Sequence, residues 1–190
     1  MSQAQPAPEQ PPEQPPPEQA GPGERDGEMD RTRDRDAAGR ARNARPRDEL
    51  GRPLGRQGVG APTMPEDLAL PPAAAVQRAQ QLLDDGRPFH AHEVLEASWR
   101  TAPAAERDLW QGLAQVAVGL THARRGNDRG AAALLRRGAA GVAGYAGASP
   151  HQIDAAGLAR SATELAARIE REGLGALDDA VLRLRLRLRR

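Results

Sequence analysis

The clearest structural signal in the chain is the stretch AAERDLWQGLAQVAVGLTHARRG, residues 104–126. Its larger apolar side chains recur every three or four residues, which is the spacing of a helix with one buried face. Those residues are Leu109, Leu113, Val116, Ala117 and Leu120. Gly126 follows them, and glycine is the residue that most often ends a helix. The pattern predicts a helix from about residue 104 to residue 125.

Two helices are predicted before this one. The first begins at Pro71 and ends at Gly86, because proline suits the first helical turn and glycine the end of a helix. The second spans residues 89–100 and ends before Pro103. The connection near Pro103 is short, so helices two and three are expected to be antiparallel neighbours.

Two more helices are predicted after it. Asn127 or Asp128 can cap a fourth helix by accepting a backbone hydrogen bond. Its last turns are expected to fray because they contain Gly138, Gly141 and Gly144. Residues 149–152, SPHQ, have the S-x-x-Q form of a capping box, which predicts a fifth helix from there to about residue 171. The sequence therefore predicts an all-α protein, a compact bundle of about five helices.

Composition divides the chain into three parts. Residues 1–66 are rich first in Pro, Gln and Glu and then in Arg, Asp and Gly. They have too few large apolar side chains to offset the entropy of folding, so they are predicted to be a disordered tail. Residues 67–172 are predicted to be the helical-bundle domain. Residues 173–190 end in VLRLRLRLRR, which alternates like a strand but has no predicted strand to pair with, so an untethered basic C-terminal tail is predicted.

The composition also excludes classes of function. The chain has no Cys, which excludes disulfides, thiolate zinc sites and cysteine nucleophiles. It has no apolar run long enough for a membrane span, and MSQAQPAPEQ at residues 1–10 is not a secretory signal, so the expected location is cytoplasmic. Nucleic-acid binding is disfavoured, because residues 67–180 hold 12 Arg against 14 Asp and Glu and few aromatic residues are available to stack on bases.

Polar side chains form one stripe on helix two and another on helix three. The stripe on helix two contains His92, Glu96 and Trp99, with Glu93 beside them. The stripe on helix three contains Gln111, Gln115 and His122, opposite its leucines. If the stripes face each other, they form a hydrogen-bonded network between the helices or a pocket for a polar ligand or a divalent metal. If they face water, they are ordinary solvated residues.

The spacing on helix two resembles a metal motif without matching it. His92-Glu93-x-x-Glu96 has Glu where the zinc-protease motif H-E-x-x-H has its second His, and no second copy supplies the paired E-x-x-H of a di-iron bundle. The alternative to a binding module is a metal-dependent hydrolase with His92, Glu96 and His122 as ligands and Glu93 as general base. The sequence leaves open whether the chain is an enzyme and which cofactor it holds.

The other two histidines are predicted to lie on the surface. His90 is off the stripe of helix two, and His151 is in the predicted first turn of helix five. Gly112 and Gly119, seven residues apart on helix three, and Gly130 near the start of helix four can allow a neighbouring helix or a ligand to approach closely.

Three motifs in this chain resemble those of domain of unknown function 309, a bacterial, archaeal and plant family. F-x-x-H-E-x-L-E-x-x-W matches residues 89–99, Q-G-L-x-Q-x-A matches residues 111–117, and H-x-x-x-G-N-x-x-G-A matches residues 122–131. The resemblance covers about residues 75–146. It departs from the family at Ala114, where relatives usually have a larger aliphatic residue. It implies an all-helical bundle with no established activity, and its polar signature falls on the two stripes.

The sequence therefore predicts a small cytoplasmic binding or interaction module. Its polar cluster comprises His92, Glu93, Glu96, Trp99, Gln111, Gln115, His122 and Asn127. A protein partner or a small ligand would suit such a cluster. The oligomeric state and the roles of the two tails are not predicted.

Overall fold

Five α-helices account for most of the folded chain in a computed structural model, which describes residues 46–55, 57–61 and 70–188. The helices are α1 Pro72–Asp84, α2 Pro88–Thr101, α3 Arg107–Arg124, α4 Asp128–Ala143 and α5 Ala155–Glu172. Short 3-10 turns occupy Ala104–Glu106, Pro150–Gln152, Leu174–Ala176 and Asp179–Leu182. Beyond two isolated bridges the described ranges contain no strand, so the predicted all-α fold is confirmed. Disorder is predicted for residues 1–66, and residues 1–45, 56 and 62–66 of that tail lie outside the described residues.

The central element of the bundle is α3. It packs against α2 on one side and α4 on the other, while α1 packs against α2 and α5 against α4. The apolar face that predicted this helix is buried along its whole length, at Leu109, Leu113, Val116, Ala117 and Leu120. Trp110 is also buried, so the covered surface is wider than one stripe.

Glycines allow α3 and α4 to cross closely. A Cβ at Gly112 would lie 2.9 Å from the carbonyl oxygen of Gly138, and a Cβ at Gly138 would lie 2.7 Å from the carbonyl oxygen of Gly112. A Cβ at Gly119 would lie 3.0 Å from Leu135 Cγ. The close approach predicted for Gly112 and Gly119 is therefore made by a neighbouring helix. The glycines expected to loosen α4 include residues that form its packing surface.

A short turn at residues 46–55 packs against the bundle, although it lies in the region predicted to be disordered. The Asp48 carboxylate accepts hydrogen bonds from the backbone of Leu50 and Arg52, at 3.0 and 2.7 Å. The Arg125 guanidinium donates to the Leu50 carbonyl oxygen. Composition did not predict that this turn has a defined structure, because the turn depends on a contact with an arginine 75 residues further along the chain.

The C-terminal segment also packs on the bundle. Leu186 is fully buried, its backbone N–H donates to Gln80 Oε1 at 2.6 Å, and its carbonyl oxygen accepts from the backbone N–H of Asp154 at 2.9 Å. Ile153 and Arg187 form an isolated antiparallel bridge. The prediction of an untethered tail is wrong, because the segment pairs with the loop before α5, which has no strand pattern of its own. The segment is basic as predicted, and the domain boundaries stay a prediction.

The start of α5 differs from the predicted capping box. Ser149 makes no side-chain capping bond, and the backbone is left-handed at Ser149, His151 and Gln152, with φ of 41°, 54° and 64°. A right-handed helix cannot pass through that conformation. The helix instead begins after Asp154, whose Oδ1 accepts from the backbone N–H of Gly157 at 2.8 Å. An aspartate thus caps α5 in place of the predicted serine.

Candidate functional site

The polar stripe of α2 contains a histidine–glutamate pair. Nε2 of His92 lies 3.6 Å from Oε2 of Glu96, and Arg100 Nη1 lies 3.6 Å from the other oxygen of that carboxylate. The His92 side chain is 23% exposed, and burial lowers its pKa below the ordinary value, against the opposing effect of Glu96. His92 is therefore neutral at neutral pH. Glu93 is half-buried, and Trp99 packs against the apolar core.

A second polar group joins the end of α3 to the start of α4. Asn127 Nδ2 donates to His122 Nδ1 at 2.8 Å, while Asn127 Oδ1 accepts from the backbone N–H of Gly130 at 2.9 Å. Asn127 is thus the cap of α4, one of the two residues predicted for that role. A Cβ at Gly130 would lie 2.5 Å from His122 Nδ1, so glycine makes room for the imidazole. Burial lowers the pKa of His122, and the charge of Arg125 lowers it further.

The two glutamines lie in a groove between α3 and α4. The groove has a volume of about 690 Å³. It is lined by Asp108, Gln111, Gly112, Gln115, Arg137, Ala140, Gly141, Gly144 and Tyr145. The Tyr145 hydroxyl donates to the carbonyl oxygen of Ala105 at 2.7 Å, which ties the residues after α4 to the turn before α3. The glutamine stripe therefore borders α4, a neighbour that the spacing of the stripe along α3 does not indicate.

The structure groups the predicted site residues in three places. Within residues 46–55, 57–61 and 70–188, no hydrogen bond or ion pair joins His92, Glu96 or Trp99 to the stripe of α3. Nor do three or more His, Cys, Asp or Glu side chains come together there as a metal site. The convergence of the two stripes, and their roles, stay predictions. The metal-dependent hydrolase is not favoured, because its three proposed ligands do not form such a group.

A further cluster joins the turn before α3 to the turn before α5, and sequence analysis missed it. Glu106 Oε2 accepts from the Trp110 indole Nε1 at 3.1 Å and lies 2.8 Å from Nε2 of His151. The rings of Trp110 and His151 are 5.7 Å apart. His151, predicted to be a surface residue of the first turn of α5, instead lies before that helix and is 24% exposed. The only sign of this cluster in the amino-acid sequence is the i, i+4 spacing of Glu106 and Trp110.

His90 also departs from its predicted position. Its side chain is 1% exposed, whereas the helical stripe placed it on the surface. The prediction is wrong because α2 is covered on more than one side, by α1 and by α3. The rings of Phe89 and His90 form a T-shaped pair, with 5.7 Å between their centroids.

The Glu106–His151 contact predicts an acid-dependent contribution to stability. The hydrogen bond with His151 is the largest cause that lowers the pKa of Glu106 below its ordinary 4.5. A carboxylate with a lowered folded-state pKa stabilises the protein above its unfolded-state pKa, and this contribution is lost as the pH falls through the folded-state value. We expect Glu106→Gln to lower the melting temperature at pH 5, and we expect the difference from wild type to shrink as the pH falls below 4.5.

The measurement is thermal unfolding followed by circular dichroism from pH 5 to pH 3, roughly the range over which ordinary carboxylates titrate. Glu164→Gln is the matched control, since Glu164 is an exposed glutamate of α5 with no side-chain hydrogen bond in the described part of the chain. A Glu106→Gln difference that stays constant to pH 3 would contradict the prediction.

Comparison with known proteins confirms the predicted family resemblance. Residues 76–134 match the family model described as "Domain of unknown function (DUF309)". The matched segment runs from α1 into α4 and includes both polar stripes. The chain is 44% identical over 48 residues to "Uncharacterized protein YpuF" of Bacillus subtilis (strain 168), and this match covers 25% of the chain and 28% of that relative. No solved structure matches significantly.

Neither description names an activity. Among the described residues, no helix is both long enough and apolar enough to cross a lipid bilayer.

Proposed function

We propose that this chain, whose residues 76–134 match the DUF309 family, is a binding module for a small zwitterionic ligand of the amino-acid type. The ligand would lie in the groove between α3 and α4. One observation carries the proposal: a carboxylate, Asp108, and a guanidinium, Arg137, line the same groove from opposite helices without forming an ion pair with each other.

The chemistry of the groove matches a ligand that carries both charges. Arg137 can bind a carboxylate through two parallel N–H groups, and Asp108 can accept from an ammonium group. Gln111 and Gln115 add amide donors and acceptors between them, and neither makes a side-chain hydrogen bond in the described part of the chain. A ligand with only one charge would leave Asp108 or Arg137 without a partner.

The shape of the groove supports the same proposal. Gly112 and Gly141 also line it, and their missing side chains let α3 and α4 lie close together there, since a Cβ at Gly141 would lie 3.1 Å from the carbonyl oxygen of Asp108. Its volume of about 690 Å³ falls in the range of small-molecule sites. Since both charged residues are exposed in the free protein, we expect modest affinity.

We also propose a cytoplasmic location. A chain with no Cys needs no oxidising compartment for its folding, which agrees with a cytoplasmic protein. Fractionation of cells that express the untagged chain tests this location independently of any ligand.

Titration of the ¹⁵N-labelled full chain with each free amino acid, up to about 10 mM, tests the proposed function. We expect at least one amino acid to shift the amide resonances of residues that line the groove. We expect its N-acetylated form and its carboxamide, which each lose one charge, to bind at least about fivefold more weakly, because each removes one charged pair.

Variants separate this groove from general charge effects. Arg137→Gln and Asp108→Asn are each expected to weaken binding at least about fivefold, whereas Arg129→Gln, at an exposed arginine of α4 outside the groove, is expected to leave it unchanged. Gly144→Leu is expected to obstruct the groove, and Gly147→Leu is its control, since a Cβ at either glycine meets nothing within 4 Å. Failure of all amino acids to bind, or equal binding of the singly charged analogues, would refute the proposal.

A further inference from the structure

The C-terminal segment presents a row of arginines to solvent. Leu184 and Leu186 are buried, while Arg183 and Arg185 are exposed and Arg187 is partly exposed. Alternate residues of an extended segment point to the same side, at about 6.6 Å intervals. The arginines therefore lie in one row on the side opposite the buried leucines, where Arg183 pairs with Asp179 at 3.8 Å and Arg187 donates to Gln152 Oε1 at 3.3 Å.

The backbone of this segment is paired along one edge. Leu184 O accepts from Gln80 Nε2, Leu186 N–H donates to Gln80 Oε1, and Leu188 N–H donates to the carbonyl oxygen of Gln152. All these backbone groups belong to the even-numbered residues. They face α1 and the loop before α5, which together cover this edge of the segment.

The opposite edge has backbone groups that are not used. The N–H and C=O groups of Arg185 and Arg187 form no hydrogen bond in the part of the chain that the structure describes. They point away from the bridge partner Ile153, because backbone groups of successive residues in an extended segment face opposite edges. The Arg185 side chain likewise has no hydrogen bond or ion pair there.

We propose that an extended acidic segment of a partner protein adds to this edge as a strand. Its backbone would pair with the N–H and C=O groups of Arg185 and Arg187. Acidic side chains at alternate positions of the partner would then lie beside the two arginine side chains, because directly opposite residues in paired strands share a face. None of these residues lines the groove of the proposed function, so the two proposals stand or fall separately.

The free backbone edge favours a peptide over a nucleic acid. A phosphate backbone can neutralise arginine side chains, but it cannot satisfy an alternating series of peptide N–H and C=O groups. Single-stranded nucleic acids also bind through aromatic residues on which bases stack, and the four aromatic residues of this chain all lie within residues 89–145. The positive charge of the arginines and the unused backbone groups of Arg185 and Arg187 together favour an acidic peptide in an extended conformation.

The test uses fluorescence anisotropy with the full chain and a labelled seven-residue peptide of alternating Thr and Glu. We expect binding, and we expect the double variant Arg185→Gln, Arg187→Gln to weaken it about tenfold. The control Arg107→Gln, Arg129→Gln removes the same charge from exposed helical positions and is expected to weaken it less than about twofold. The same peptide N-methylated at alternate residues, on the edge that would pair, is expected to bind at least about tenfold more weakly.

Each other outcome overturns the proposal. Equal weakening by the two double variants would show general charge attraction, and unchanged binding of the N-methylated peptide would show that the backbone edge is not used. Tighter binding of a single-stranded oligonucleotide of similar charge at the same salt concentration would assign the arginine row to nucleic acid. Melting curves of both double variants confirm that they are folded.

Discussion

Leu186→Ala is expected to lower the free energy of unfolding by about 3 kcal/mol, or the melting temperature by roughly 10 °C. Leu186 is fully buried in the C-terminal segment, and its backbone forms hydrogen bonds with Gln80 and Asp154. Removing three carbons from a filled core site loses their transfer energy and leaves a cavity that the rest of the bundle only partly fills. The same substitution in an untethered tail would change nothing.

Urea unfolding of wild type and variant measures this difference, and Leu188→Ala is the matched control. Leu188 lies two residues further along the segment and is 47% exposed, so its truncation should cost less than about 1 kcal/mol. Equal stabilities of the Leu186→Ala variant and the wild type would mean that the segment does not pack on the bundle in solution.

Gly138→Ala is expected to destabilise the chain by about 2 kcal/mol, although alanine favours an isolated helix by about 1 kcal/mol over glycine. The new Cβ would lie 2.7 Å from the carbonyl oxygen of Gly112 and 2.9 Å from the backbone nitrogen of Val116. Both atoms belong to the backbone of α3, so they cannot move aside as the end of a side chain can. The helices must separate, and the buried contacts between them are lost.

Gly144→Ala provides the control for the helix propensity of alanine. Gly144 follows α4 with a right-handed φ of −59°, and a Cβ there would meet nothing within 4 Å. The free energy of unfolding of the Gly144→Ala variant should stay within about 0.5 kcal/mol of the wild-type value. If Gly138→Ala proved as stable as Gly144→Ala, the close crossing of α3 and α4 would be incorrect.

The groove between α3 and α4 shows which contacts can be predicted from residue spacing along one helix and which cannot. Helical periodicity placed Gln111 and Gln115 on one side of α3, opposite its leucines, and they do share a groove. The spacing did not indicate which neighbour borders that groove, because a helix has several neighbours and each can cover a different side. The opposite charges of Asp108 and Arg137 are 29 positions apart in the chain, so only the packing of α4 against α3 brings them to one groove.

The cluster around Glu106 likewise combines a contact within one helical turn and a contact between residues distant in sequence. Glu106 and Trp110 are one helical turn apart, and their spacing is visible in the chain, but His151 is 45 residues away from its glutamate. Its position depends on a left-handed turn at residues 149–152 that no glycine marks. Ser149 and Gln152 matched a capping pattern, yet the backbone there is incompatible with a helix start.

Periodicity, capping residues and glycine positions were sufficient to predict five helices, the buried face of α3 and a cap of α4 at Asn127 or Asp128, because each depends on neighbours within one or two helical turns. Tertiary structure alone decided that the C-terminal segment is bound, that α4 borders the glutamines, and that His151 reaches Glu106. These features depend on contacts between residues distant in sequence, whose energies come from shape and hydrogen-bond complementarity that spacing along one helix does not encode.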